Sequence, residues 1–402
     1  MNHQIEPIDK LIFAERMSHI PKSFIREILK VTAQPDVISF AGGLPNPLTF
    51  PYEQIREAAI AVLTEDGKNV LQYAVSEGYL PLREYIAERY TKSGIPVEPE
   101  EILITNGSQQ GLDLCGKIFL NKNDKVLLEA PSYLGAIQAF SAYQPEFLSV
   151  TLEEDGVDIL ALTELLWEHD IKLFYGIPNF QNPTGISYSD EKRKKIAKLI
   201  KQKKTIFIED DPYGEIRFSG ESIPPIKKYL PDQTILLGSF SKIIAPGLRM
   251  GWIVAKKEIM EKLIIAKQAS DLHSNYLSQR IIYRMLQDYD LDKHIQKISK
   301  LYCTQKKHMI DMIQKYFPEE INYTNPEGGM FIWLTLPSYM DANTLLNDAH
   351  LLKVAFVPGQ NFFVNKESKN TIRLNFSNSF EEETEKGIKR LGKLFYKWMC
   401  NP

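Results

Sequence analysis

Short apolar runs recur through the middle of the chain, each ending in polar or turn-forming residues. They are EILITN from Glu101, DKVLLEAP from Asp124, KLFYGIP from Lys172, TIFIEDD from Thr205 and TILLGSF from Thr234. Runs of this length, apolar and rich in Ile, Leu and Val, have strand character. Between several of them lie charged stretches with helical periodicity. The clearest is SDEKRKKIAKLIKQKK, where Ser189 is a capping residue, Asp190 and Glu191 fall in the first turn, and apolar residues return at helical spacing. Strands alternating with helices predict βαβ units and a mostly parallel sheet flanked by helices. One large α/β domain is expected over residues 45–290.

Downstream the pattern changes. The stretch QRIIYRMLQDYDLDKHIQKISKLYCTQKKHMIDMIQKYF, from Gln279 to Phe317, keeps helical spacing and leads into GGMFIWLTL and TIRLNFS, which read as strands. A smaller α+β domain is expected over residues 291–402, completed by residues 1–44. No repeat, low-complexity tract or flexible linker interrupts the sequence.

Composition narrows what such a molecule does. Its 402 residues are enough for a large domain with a smaller one attached, and 44% hydrophobic with 25% charged residues is an ordinary globular balance. The 48 basic and 51 acidic residues are spread along the chain and leave a net charge of -3, so no nucleic-acid footprint is expected. Cys115, Cys303 and Cys400 lie far apart without a CxxC pair, which predicts neither a disulfide framework nor a metal site. The opening MNHQIEPIDK carries acids and no apolar core of signal type, and no apolar run approaches bilayer length. A cytoplasmic protein without membrane or nucleic-acid partners is expected.

Ligands of open α/β sheets bind beyond the carboxyl ends of the strands, so the residues after each run carry the candidate chemistry. After EILITN comes GSQQGLDL, opening a helix, and after KVLLEAP come Ser132 and Tyr133. KLFYGIP is followed by NFQNPTG, TIFIE by Asp210, Asp211, Pro212 and Tyr213, and TILLG by SFSK. Singly, each has an ordinary explanation: GSQQ or Asp210 as a helix cap, NPTG as a turn, Tyr133 as core filling, Lys242 as a solvated side chain on an apolar stem. Those explanations leave open why Ser108, Tyr133, Asn182, Asp210, Tyr213 and Lys242 all arrive at one edge.

Together these residue types meet the needs of one cofactor. A helix N-terminus with Ser108 and Gln109 suits a phosphate, and Ser239 with Arg249 adds donors, the guanidinium matching phosphate oxygens. Tyr133 offers a face for stacking, and Asp210 could keep a ring nitrogen protonated. Lys242 is an amine able to form a Schiff base with an aldehyde. Phosphate, pyridine nitrogen, phenolic oxygen and aldehyde meet in pyridoxal 5'-phosphate.

Ten segments extend the picture: ISFAGGLPNP, LQYAVSEGYLPLR, TNGSQQGLDL, EAPSYLGAIQAF, NFQNPTG, EDDPYGEIRF, GSFSKIIAPGLRMGW, NPEGGMFIW, VAFVPGQNFF and TIRLNFS. In this order and spacing the chain resembles, over nearly its whole length, the fold-type I aminotransferases, most closely the 2-aminoadipate and kynurenine aminotransferase branch. The resemblance implies Lys242 as the Schiff-base lysine, with Ser108, Gln109, Ser239, Ser241 and Arg249 around the phosphate. It places Tyr133 against the ring, Asp210 at the pyridine nitrogen, and Asn182 with Tyr213 at the phenolic oxygen. Tyr73 would reach the site from a neighbouring subunit, implying a homodimer with shared sites, and Arg373 would bind the substrate α-carboxylate. Arg26, Ser23 and Gly43 would line the substrate side-chain end, Arg26 alone reading as a solvated helix charge. The branch often carries proline two residues after the counterpart of Tyr73, where this chain has Val75.

The implied activity is transfer of an amino group from an α-amino acid, of 2-aminoadipate, aromatic, kynurenine-like or aliphatic type, to 2-oxoglutarate, with ping-pong kinetics and Lys242 as general base. Other pyridoxal-phosphate reactions at the same carbon share the fold. A ligand-sensing domain of bacterial regulators is the reading from another class, set against it by the forty or so residues ahead of the large domain, too few for a winged-helix reader.

Overall fold

The computed structural model describes residues 13–20, 36–366 and 368–400; Ser23 and Arg26 lie outside them. A short strand, β1 (Ile38–Ser39), leads into the large sheet, formed by β2 (Ile102–Thr105), β3 (Lys125–Ala130), β4 (Glu146–Glu153), β5 (Gly156–Val157), β6 (Ile171–Gly176), β7 (Ile206–Asp210), β8 (Thr234–Ser239) and β9 (Gly251–Val254). Their spatial order is β2-β9-β8-β7-β6-β3-β4-β5. The pairs β4/β3, β3/β6, β6/β7 and β7/β8 are parallel, whereas β9 runs antiparallel to both β8 and β2.

All five apolar runs are strands of this sheet, and β2 and β8 are buried along their whole length. Helices on both faces provide that cover. The segment after Ser189 is the helix Asp190–Ile200, and the Ser189 side chain accepts a hydrogen bond from the Lys192 amide, the cap that its position predicts. Because β2, β3, β6, β7 and β8 share one direction, their carboxyl ends lie along a single edge. Antiparallel β9 starts at that same edge, with Gly251 opposite both Ser239 and Thr105.

The long helical stretch is two helices, Tyr276–Asp288 and Leu291–Tyr316, divided where Asp290 caps the second through the Lys293 amide. Beyond it lie β10 (Asn322–Tyr323), β11 (Phe331–Thr335), β12 (Val354–Ala355), β13 (Val357–Pro358) and β14 (Thr371–Asn375). Four of them form an antiparallel sheet in the order β10-β11-β14-β13, while β12 pairs in parallel with β1. The β1/β12 pairing joins the chain near residue 38 to the C-terminal part; the division at residues 44/45 and 290/291 stays a proposal. The segment after β1 continues along the smaller sheet, where the Asn375 amide donates to the Phe40 carbonyl at 2.9 Å. Among the described residues no helix is long and apolar enough to cross a membrane, and no cluster of His, Cys, Asp and Glu could hold a metal ion.

Candidate active site

A cavity of about 260 Å³ opens at the carboxyl edge of the large sheet. It is lined by Ser108, Gln109, Tyr133, Asn182, Asp210, Tyr213, Ser239, Ser241, Lys242 and Arg249 from the strand ends and following segments of the large sheet, with Gly43 and Arg373 from the other side. Every described site residue expected from the sequence is there except Tyr73.

The two cations on the β8–β9 connection are placed by local geometry. After β8 the chain turns tightly, with the Ile244 amide donating to the Phe240 carbonyl at 2.8 Å, and Lys242 rides on that turn. Arg249 takes a left-handed conformation, φ 51° and ψ 47°, just before β9 returns into the sheet. Its Nη2 donates to the Asn106 carbonyl at 3.2 Å, which brings the guanidinium beside the start of the helix Ser108–Phe119. Gly107, at φ +80°, permits that approach: a Cβ there would lie 2.7 Å from Arg249 Nη2. The first amides of a helix have no partner within it, so this corner combines a helix N-terminus, a guanidinium and the hydroxyls of Ser108, Ser239 and Ser241. Such a corner fits a phosphate.

At the other end, Lys242 Nζ donates to the Gly43 carbonyl at 2.8 Å. Burial, aided by the nearby charges of Arg373 and Arg249, pulls the Lys242 amine down to about 8 from its ordinary 10.5. Asp210, the last residue of β7, is buried. Its Oδ2 accepts from the Tyr175 hydroxyl at 2.9 Å, while Oδ1 is buried without a partner. Burial pushes its carboxyl up to about 7, against the lowering effect of Tyr175, with Asp211 and Glu129 adding to the rise. An orphaned buried carboxylate oxygen is costly unless a donor meets it, and a protonated ring nitrogen is such a donor. Tyr175 was not a site candidate in the sequence, where it reads as one more aromatic residue in an apolar strand; only the β6/β7 pairing brings its hydroxyl to Asp210.

Arg373 lies on β14, between Trp333 of β11 and Val357 of β13. It is buried, with its guanidinium carbon 4.3 Å from the centre of the Phe331 ring and 5.2 Å from that of Phe362. Nη1 donates to Asn182 Oδ1 and Nη2 to the Ala41 carbonyl, both at 2.8 Å, and Nε is buried without a partner. With its oxygen taken by Arg373, the Asn182 amide turns its nitrogen elsewhere. Burial raises the Tyr213 hydroxyl well above the usual phenol range and lowers Arg373 to about 10. Tyr73 stands apart, 79% exposed on this chain, with its ring edge-on to His273 at 5.9 Å.

The donor set thus fits pyridoxal phosphate at three points: an anion corner, an amine, and an unpartnered carboxylate oxygen. Comparison with known proteins agrees. Residues 35–391 match the family model described as aminotransferase class I and II. The chain is 44% identical over 391 residues to aromatic-amino-acid aminotransferase 1 of Thermococcus litoralis, covering 95% of this chain and 93% of that one. Its fold matches a Pyrococcus horikoshii kynurenine aminotransferase crystallised with PMP, at TM-score 0.92 and 40% identity over 96% of this chain and 98% of that one. It also matches LysN, the alpha-aminoadipate aminotransferase of Thermus thermophilus complexed with N-(5'-phosphopyridoxyl)-L-leucine, at TM-score 0.91 and 40% identity over 96% and 98% of the two chains. The chain belongs to the class I and II aminotransferases, and is a transaminase that uses pyridoxal 5'-phosphate.

Proposed function

We propose that this transaminase moves the amino group of aromatic, kynurenine-like, 2-aminoadipate-like or aliphatic amino acids to 2-oxoglutarate, through a site built on Lys242. The observation that carries the reading is the pairing, in one cavity, of a lysine amine lowered to about 8 with Asp210 Oδ1, buried and unpartnered. The breadth of donor follows the relatives, whose names span aromatic, kynurenine and aminoadipate chemistry.

When bound, pyridoxal phosphate supplies the electron-withdrawing ring that makes the donor's Cα–H acidic and carries the amino group between the two partners. The chain's own residues do the rest. Ser108, Gln109, Ser239, Ser241 and Arg249 would hold the phosphate, and Tyr133 would cover one ring face. Asp210 Oδ1 would accept from the ring nitrogen and keep its proton there. The Asn182 amide nitrogen and the Tyr213 hydroxyl would donate to the phenolic oxygen. Arg373 would bind the donor's α-carboxylate, so that Cα is presented to Lys242 Nζ, which would take its proton and carry it to the cofactor's former aldehyde carbon, on the far side of the transferred nitrogen. An amine lowered to about 8 is partly neutral near pH 7, as a general base must be. Gly43 borders the substrate end; Ser23 and Arg26, expected there too, lie outside the described residues.

A homodimer with shared sites belongs to the same proposal. Leu48, Tyr52, Leu71, Tyr73 and Val75 expose large apolar side chains on the single chain, as a surface meant for a second copy would. In that reading Tyr73 reaches the neighbouring phosphate. A cytoplasmic location is part of the same proposal.

The test is the visible spectrum of the loaded protein, before and after single amino acids without any 2-oxo acid. A visible band that collapses with one group of amino acids identifies the donor class and the half-reaction. A band unmoved by every donor would refute the transamination reading of this cavity.

A further inference from the structure

Beneath the cavity lies a carboxylate that the mechanism above does not use. Glu129, near the end of β3, is fully buried. Its Oε1 accepts from the Ile177 amide at 3.1 Å and from the Tyr188 hydroxyl; its Oε2 accepts from Gln181 Nε2 at 2.9 Å. Gln181 is itself saturated. Nε2 also donates to the Pro131 carbonyl at 2.8 Å, and Oε1 accepts from the Thr184 amide at 2.9 Å and the Thr184 hydroxyl at 2.8 Å. The next residue is Asn182, whose oxygen holds Arg373.

The two ends of this brace lie on different loops. Pro131 is two residues from Tyr133 on the loop after β3, and Gln181 adjoins Asn182 on the loop after β6. Burying a carboxylate is costly, and here burial raises Glu129 to about 7, with the hydrogen bonds from Tyr188, Gln181 and Ile177 acting the other way. Apolar filling would pack the same space without that cost. A buried acid retained there points to placement of its partners.

Resting on the site reading given above, we propose that Glu129 is a positioning residue: through Gln181 it fixes Asn182, and so both Arg373 and the donor to the ring oxygen, against the loop carrying Tyr133. The Glu129→Gln side chain fits the same space but turns an NH₂ toward a donor, since both carboxylate oxygens now accept. Asn182 then loses its anchor, which loosens Arg373 and withdraws a donor from the ring oxygen. Losing a donor to an anion raises the pH at which the visible band titrates.

The experiment compares Glu129→Gln, Gln181→Met and Tyr188→Phe with the parent. Five quantities are measured: melting temperature without cofactor, cofactor affinity by tryptophan fluorescence, the pH midpoint of the visible band, and KM and kcat for one amino donor. Glu129→Gln and Gln181→Met should raise the amino acid KM about tenfold, as expected for loss of one charge-assisted bond, and shift the spectral midpoint upward. Tyr188→Phe removes a bond from the other carboxylate oxygen and should lower the melting temperature while leaving midpoint and KM in place. A Glu129→Gln protein that melts cooperatively yet keeps the parental midpoint and KM overturns the proposal, as does an equal shift in Tyr188→Phe. Should Glu129→Gln not fold, Gln181→Met decides on the same criteria. A parent protein that gives no visible band on loading overturns instead the reading of Lys242, and this proposal with it.

Discussion

Lys242 should capture pyridoxal phosphate far faster at neutral pH than a free lysine side chain does. The perturbation is pH, applied to cofactor-free protein. With the amine lowered to about 8 from 10.5, about a quarter of the molecules carry a neutral amine at pH 7.5, against roughly one in a thousand for an unperturbed lysine. The advantage is therefore on the order of 200-fold at that pH, and the capture rate should climb about tenfold per unit up to pH 7 and level off above about 8. Rapid mixing with pyridoxal phosphate, followed in the visible, gives the rate; the same series with an N-acetylated lysine amide corrects for the cofactor's own ionisations. The same shift has a stability consequence. Between about 8 and 10.5 the unfolded chain binds more protons than the folded one at this position, so Lys242's contribution makes the cofactor-free protein more stable as pH rises through that window. Replacing Arg373, a like charge that helps depress the amine, should move the plateau to higher pH. A capture rate that keeps climbing to pH 10 would refute the reasoning, because it would mean that the amine is solvated.

Two further outcomes are expected. Arg373→Leu removes the guanidinium that would hold the substrate carboxylate, two charged bonds at about 1.5–3 kcal/mol each, so kcat/KM for amino donors should fall by at least roughly 100-fold while pyridoxal phosphate still binds; steady-state kinetics beside a cofactor titration would check this. If Tyr73 serves the neighbouring site, mixing Tyr73→Phe with Lys242→Ala subunits should restore activity in the hybrid; no recovery, with exchange confirmed, would show that each site is built from one chain.

The large sheet was legible because its strands are buried on both faces, and such strands appear in sequence as unbroken apolar runs. All five runs are strands, and their trailing residues line the cavity. What escaped were the strands that lack that signature. EFLSVTLE of β4 lies toward the sheet margin, with Glu146, Thr151 and Glu153 exposed, so its run is interrupted. GWIV of β9 is four residues long and follows directly on the lysine and arginine segment, where nothing local shows that the strand is reversed. The division at Asp290 inside the long helical stretch was likewise hidden, since the apolar spacing passes through it and only the cap ends the register. Arg373 was assigned from resemblance rather than periodicity. Its burial between Phe331 and Phe362 depends on pairing across β11, β13 and β14, which a one-dimensional pattern does not record. Tyr175 and Glu129 are of the same kind: polar atoms inside apolar strands, whose partners become visible only when neighbouring strands are aligned.

The reversal of β9 divides the site's anchors in an uneven way. Lys242 and Arg249 lie on the single connection between β8 and β9, with a 3₁₀ turn at Pro246–Leu248 between them, so the spacing between amine and phosphate corner is a length set within the large sheet. Arg373 belongs to that smaller sheet, and reaches the cavity through Asn182 and the Ala41 carbonyl. In the site reading proposed above, the large sheet would keep the cofactor and the smaller sheet would hold the donor. Mild denaturant that loosened only the second would leave a protein still coloured by its cofactor but no longer able to choose an amino acid.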